Sequence, residues 1–232
     1  MLFLDSIKKM IRSILRYRLN TANRARLQNK DFTLFASNCV GGVLYSELKL
    51  LFRSPTINLW IPPADFIKFC TNPHAYMSIP FEAIASDKPY PVAHCGDITL
   101  HLVHYASVQE AQEAWQRRAK RINWDNIFIM MSERDGCTEQ DLKNFDALPN
   151  PHKVVFVHQL MPQIGSYIYL PGTEIQEREN SFHKVVGLTA YNSWKATRYI
   201  DLFDYVEFFN TGKLKQSNPN STQRKIFNHQ SF

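Results

Sequence analysis

The sequence predicts an α/β fold: a mixed, largely parallel sheet with helices on both faces. Three observations carry this reading. Asn126-Ile-Phe-Ile-Met-Met131 and Lys153-Val-Val-Phe-Val-His158 are nearly continuous apolar runs, as expected of strands covered on both faces of a parallel sheet. Between them Thr138 precedes a helical pattern over Glu139 to Leu148 with Asp141 three residues on, so 126–158 reads as a β-α-β unit, whose crossover is expected to be right-handed. Asp31 to Leu48 reads as a strand, a glycine-bearing turn and a helix. The result is a three-layer, Rossmann-like architecture with a basic N-terminal helix. Residues 1–30 form that amphipathic helix, 31–212 a single α/β domain and 213–232 a polar tail.

Each element follows from its own pattern. In residues 2–19, Phe3, Leu4, Ile7, Met10, Ile11, Ile14 and Leu15 recur at three- and four-residue spacing, a helical period. Lys8, Lys9, Arg12 and Arg16 occupy the other side. Such a helix either docks its apolar stripe on the protein's own core or lies on an anionic membrane surface. Thr33 to Ala36 suit a buried strand, and Gly41 and Gly42 allow a turn or a close approach. Val43, Leu44, Leu48 and Leu51 continue as a helix face.

Arg53 to Ile61 reads as a loop and a strand stopped by Pro62 and Pro63, and Asp65 to Phe69 as a short helix. Residues 74–89 read as loop. Tyr90 to Tyr105 reads as a hairpin around Gly96-Asp97, a recognisable turn pair. Period 2 places His101 and His104 on opposite faces, which makes them a poor metal pair. Ser107 and Glu110 form a capping box for a helix to about Arg121, with Val108, Ala111, Trp115 and Ile122 inward. Residues 159–180 read as loop, His183 to Thr189 as a last strand and Tyr191 to Phe209 as a helix, with Gly212 as its C-cap.

The chain of 232 residues carries 44% hydrophobic residues and sixteen Phe, enough for one sizeable core. Its net charge of +6 is uneven. Residues 1–30 hold eight basic side chains against Asp5 alone, whereas the remainder holds 19 basic and 20 acidic. The basic character therefore belongs to the N-terminal segment, which argues against a nucleic-acid-binding face on the domain. No run of eighteen apolar residues suggests a membrane span, and the apolar start lacks the form of a secretory signal. The expected location is the cytoplasm, with the basic helix placed to meet the inner membrane face.

The four cysteines, Cys39, Cys70, Cys95 and Cys137, show no C-x-x-C spacing, so reduced thiols are expected rather than a zinc site. Glycine-rich dinucleotide and P-loop signatures are absent, as are Asp-x-Asp and His-Glu-x-x-His. No cofactor and no metal is expected.

The strand ends after Ala36 and Met131 should fall on one edge of the sheet. That edge would gather Asn38, Cys39, Glu133, Arg134 and Asp135. Ligands of open α/β folds bind outside the carboxyl ends of the strands. Cys39 at a helix N-terminus would have a depressed pKa and act as a nucleophile, with His101 as its base; the alternative is a small buried cysteine. Asp135, with Glu133, would serve as acid/base or hydroxyl ligand, or form a solvated loop. Arg134 would bind phosphate, or pair with its acidic neighbours. Asn38 and the backbone of Gly41 and Gly42 would orient a donor. Arg118 would either grip a phosphate or carboxylate or be one of the cations that suit a helix C-terminus.

Ser37-Asn-Cys-Val-Gly-Gly42, Arg53-Ser-Pro-Thr56, Asp65-Phe-Ile-Lys-Phe69, His101-Leu-Val-His-Tyr105, the stretch Trp115 to Trp124 and Ser132-Glu-Arg-Asp-Gly-Cys137 together resemble a bacterial family of unknown function. Its members are often labelled exopolysaccharide or capsule biosynthesis proteins. The resemblance spans roughly residues 30–210 and implies an α/β fold and work on surface carbohydrate. The expected function is a transferase that builds or modifies a cell-surface polysaccharide from an activated sugar or acyl donor. Two alternatives stand beside it: a non-catalytic carbohydrate-binding or assembly protein with a pocket lined by Trp60, Trp115 and Trp124, and a thiol-dependent hydrolase.

Overall fold

The computed structural model describes residues 2–172, 184–185, 187–192 and 196–215. Its centre is a four-stranded, wholly parallel sheet of β1 (Thr33–Ala36), β5 (Ile127–Ser132), β6 (Lys153–Val157) and β7 (Tyr167–Tyr169), in the spatial order β1-β5-β6-β7. Phe35 lies opposite Ile129, Met131 opposite Val155 and Phe156 opposite Ile168. Both faces are covered, which is why the strands read as unbroken apolar runs. Successive residues alternate between two cores: Phe35, Ile129, Met131, Val155 and Val157 face one, and Leu34, Ala36, Phe128, Met130, Val154 and Phe156 the other.

The first core is closed by α3 (Pro63–Thr71), α5 (Val108–Ala119), α6 (Glu139–Asp146) and a second sheet. That sheet is antiparallel, in the order β2 (Phe81–Ile84), β3 (Val92–Cys95), β4 (Ile98–His101). The expected single mixed sheet is thus two sheets. The hairpin around Gly96 pairs with β2, inside a stretch read as loop. β2 has one buried residue in four, so it carries no apolar run to announce it. A short α4 (Pro73–Tyr76) lies in the same stretch. The second core is closed by α2 (Val40–Leu48), by Leu27 after α1 (Leu2–Arg26), and by α7 (Tyr205–Thr211).

Other expectations are corrected. Within 53–61, residues 55–58 form a turn and Trp60 alone forms a bridge, to His101. β7 occupies part of the supposed loop 159–180. The expected helix 191–209 is instead a 3-10 turn, Tyr199–Leu202, followed by α7. Phe203 between them is extended, and the Asp204 side chain accepts a hydrogen bond from Glu207 N, starting α7 afresh. Trp194 and His183 lie outside the described residues, as does most of the 213–232 tail. Of the expected strand 183–189, residues 183 and 186 lie outside the described residues and Val185 forms a β-bridge; the N–H groups of Lys184 and Val185 donate to the Glu133 carbonyl oxygen. The α6 capping box is present, with Thr138 Oγ1 accepting from Asp141 N. Ser107 likewise accepts from Glu110 N, while Glu110 accepts from Ala106 N. Gly212 ends α7 with φ 73°, a left-handed conformation that favours glycine.

Candidate functional site

Because β1, β5 and β6 are parallel neighbours, the residues that follow them emerge on one edge. Ser37 N still donates to Met130 O at 3.0 Å, and Glu133 N to Phe156 O at 2.9 Å. The ladder therefore runs right up to the residues that carry the chemistry, and these are held rather than loose.

After β1, Asn38 works in two directions. Its Oδ1 accepts from Val40 N at 3.1 Å, satisfying a donor at the start of α2, and its Nδ2 donates to Ser132 Oγ at 2.9 Å. Asn38 thus joins the end of β1 to the end of β5. Gly41 and Gly42 do not form the turn. They are buried helical residues in the first turn of α2. A Cβ on Gly41 would meet the Ala36 Cβ at 3.0 Å, and one on Gly42 would meet Ile57 Cγ2 at 3.1 Å. They serve packing, letting α2 lie close on β1 and on the 54–59 segment.

Cys39 holds the N-cap position of α2 with helical backbone and makes no side-chain cap. Its expected activation is not found. Burial pushes the thiol up, its own backbone N–H opposes this, and the charge of Asp135 adds to the rise. The first cause outweighs the helix end. Among the described residues no interaction joins Cys39 to a histidine. His101 lies on β4 of the antiparallel sheet, stacked on Trp60 with ring centroids 3.7 Å apart. Burial holds its imidazole below the ordinary value, aided by the charge of Lys88 and opposed by Asp65.

Arg118 is engaged by the protein itself. It is buried in α5, and its Nη1 donates to Ile57 O at 3.0 Å and to Tyr105 Oη at 2.6 Å. It ties α5 to the 52–57 segment, whose Ile57 packs on the first turn of α2.

After β5 the chain turns sharply: Arg134 N donates to Ser132 O, and Asp135 and Gly136 are both left-handed, at φ 58° and 83°. Arg134 Nη1 donates to Val185 O at 2.6 Å. Burial lowers the Arg134 guanidinium pKa, and Asp135 partly offsets this. Arg134 thus pins residues 184–185 across the strand end instead of standing in a solvated loop. Cys137 just beyond is buried, and its thiol is pushed up to about 12, chiefly by burial and then by the charges of Asp141 and Glu133.

Glu133 is fully buried, and its carboxylate is the centre of the edge. Oε2 accepts from His158 N at 3.2 Å and faces His158 Nδ1 at 2.5 Å. Lys184 Nζ lies 3.1 Å from Oε1, as an ion pair whose direction is off the hydrogen-bond angle. The His158 side chain is 24% exposed and that of Lys184 48%. A carboxylate oxygen accepts, so in the tautomer that satisfies this contact Nδ1 carries the proton. That tautomer presents Nε2 as an acceptor, on a ring whose orientation is set by a buried acid. Orientation of an imidazole by a carboxylate is the arrangement of a general base.

His158 and Lys184 escape a reading from sequence for different reasons. His158 ends an apolar run and looks like its last strand residue, although the same edge argument that gathers Glu133 applies to the residue after Val157. Lys184 has no local signal, because it arrives from a segment distant in sequence. No group of three or more His, Cys, Asp or Glu side chains among the described residues is arranged to hold a metal ion.

Comparison with known proteins places most of the chain, α1 included from residue 10, in one family. Residues 10–210 match the model of the domain of unknown function DUF1919. An uncharacterized protein of Haemophilus influenzae is 37% identical over 206 residues, covering 89% of this chain and 97% of its own length. The chain therefore belongs to the DUF1919 family, whose function is unknown.

Proposed function

We propose that the crevice at the carboxyl ends of β1, β5 and β6 is the active site of a transferase. It would act in the synthesis or modification of a cell-surface polysaccharide, moving a sugar or acyl group from an activated donor to a carbohydrate hydroxyl. The observation that carries this reading is the buried Glu133 carboxylate against His158 Nδ1. The label attached to the resembling family supplies the substrate class.

In the reaction, His158 Nε2 takes the proton of the acceptor hydroxyl as its oxygen bonds to the donor's anomeric or acyl carbon. The bond from that carbon to the leaving group breaks, and the leaving group departs with the electron pair as phosphate or thiolate. Lys184 offers a cation to it, and Asn38 at the start of α2 orients the donor. His158 takes the role expected of His101, and the Cys39 thiol is not needed, which removes the support for a thiol-dependent hydrolase.

The test uses UDP-glucose, UDP-N-acetylglucosamine and acetyl-CoA as donor probes, first for thermal stabilisation and then for transfer to an oligosaccharide. Loss of a general base lowers turnover by about 10²- to 10⁴-fold, so His158→Ala should abolish transfer while the fold persists. Binding of no donor, or full turnover in His158→Ala, would refute the reading.

One observation favours the carbohydrate-binding alternative. His74 stacks on Trp124 with centroids 3.5 Å apart beside an open cleft of about 510 Å³, lined also by Gln116 and Lys120. Trp115 plays no part in it, being buried in the core. Oligosaccharide affinity lost in Trp124→Ala, with no turnover of any donor, would select that reading.

A further inference from the structure

The N-terminal helix α1 is turned the opposite way from the usual amphipathic surface helix. An apolar stripe normally faces the core. Here the polar side does. Arg16 donates to Glu47 Oε1 at 2.9 Å and to Asp201 Oδ2 at 2.5 Å. Asn23 Nδ2 donates to Tyr205 Oη at 2.6 Å, Arg24 Nη1 donates to Glu47 O at 2.8 Å, and the Arg12 guanidinium lies over the Tyr191 ring at 4.5 Å.

At about 100° per residue, Met10, Ile14 and Tyr17 fall together on the side opposite Arg12, Arg16 and Asn23. They are 58%, 48% and 65% exposed. Ile11 extends the patch; Arg18 falls on the same side and Lys8 at its edge, and both are exposed. The expectation that this stripe docks on the protein's own core is therefore overturned: charge holds the helix to the body, and its apolar face points away. No helix among the described residues is long and apolar enough to cross a membrane.

We infer that the outward face of α1 seats the protein on an anionic lipid bilayer. Met10, Ile14 and Tyr17 would enter the acyl boundary, and Lys8 and Arg18 would meet acidic headgroups. Charge selects this occupant over a second copy of the chain. Of the eight basic side chains in residues 1–30, Arg16 and Arg26 are paired with acids of the body, while Lys8 and Arg18 beside the patch are exposed, so two such faces repel each other, whereas an anionic surface attracts the basic border. Because the patch lies opposite the side held by Glu47 and Asp201, a flat surface can approach it without meeting the domain.

The full-length protein is sedimented with phosphatidylcholine vesicles and with vesicles of the same lipid containing about 30% phosphatidylglycerol. Binding to the anionic vesicles should exceed binding to the neutral ones by about tenfold and weaken with salt. The double variant Met10→Asp, Ile14→Asp should lose that binding by about tenfold or more with its unfolding midpoint unchanged. Lys8→Ala, Arg18→Ala should lose about fivefold per charge and much of the salt dependence. Absence of binding to anionic vesicles, or full binding by the Met10→Asp, Ile14→Asp variant, overturns the inference. So does a dimer in sedimentation that this variant converts to monomer, since a second copy would then cover the face. These readouts need no substrate, so they stand or fall apart from the transferase reading.

Discussion

Two buried carboxylate–cation clusters divide the molecule. At the seam between α1, α2 and the 3-10 turn, Arg16 is held by Glu47 and Asp201, and Arg198 Nη1 lies 2.9 Å from Glu47 Oε1. At the sheet edge Glu133 is held by His158 and Lys184. The acid at the edge is the more deeply buried of the two kinds, yet its partners are the more exposed. Every member of the seam is largely shielded from water, so its charges have only each other. At the edge the acid is locked inside while the cation and the imidazole reach outward. The same chemistry is closed in one place, where it joins helices, and open in the other, where it orients groups toward solvent.

Breaking the seam should cost the most. Burial works against the Arg16 charge, and Glu47 and Asp201 more than restore it. Arg16→Met leaves Asp201 without its cation and Glu47 with Arg198 alone. Removing one partner of such a buried cluster costs about 3–5 kcal/mol, which chemical denaturation would read as a lowered midpoint at unchanged slope. A variant as stable as the wild type would mean that the seam is wetter than its geometry indicates.

A smaller effect should follow at the edge. Glu133→Gln keeps the shape and removes the charge, for a loss of about 1–3 kcal/mol. Its sharper consequence is on His158: the imidazole loses the acid that holds the proton on Nδ1. Nitrogen chemical shifts of His158 should show Nδ1–H in the wild type and a mixed tautomer population in the variant. An unchanged tautomer would break the comparison, because the edge carboxylate would then be purely structural.

Lys184→Ala should cost less than about 1 kcal/mol, since its side chain is half exposed and such pairs are worth little. A large stability loss there would make the edge a second seam. The smallest effect concerns Cys39. With its thiol pushed up by burial and by Asp135, iodoacetamide should react slowly at neutral pH and faster only above the range in which an ordinary thiol ionises. Asp135→Asn should raise the rate about two- to threefold at fixed pH by removing the like charge. Fast alkylation below about pH 7 would return Cys39 to the role of nucleophile.

Legibility from sequence followed the range of the forces involved. Apolar runs announced β1, β5 and β6, because a strand covered on both faces needs no partner to be recognised. Thr138 with Asp141 and Gly96-Asp97 announced a cap and a turn, since both are satisfied within a few residues. β2 and β7 left no such mark: each is three or four residues long and half covered, and each is a strand only because a neighbour pairs with it. The same holds at the site. Asn38, Cys39, Glu133, Arg134 and Asp135 were gathered on one edge by parallel pairing alone. Their environments were not legible, because burial of Cys39, Arg118 and Glu133 is set by residues far away in the chain.

The sequence by itself determined the parallel core, the strand–turn–helix after β1, the edge on which polar residues collect and the charge of the N-terminal helix, because period, capping and charge are local properties. Only the tertiary structure decided that His158 and Lys184 complete the Glu133 cluster, that Gly41 and Gly42 pack rather than turn, and that α1 shows its apolar side to solvent. Each of those outcomes depends on which distant surface arrives opposite a residue, and the free energy of burying a charge or an apolar side chain is fixed by that arrival.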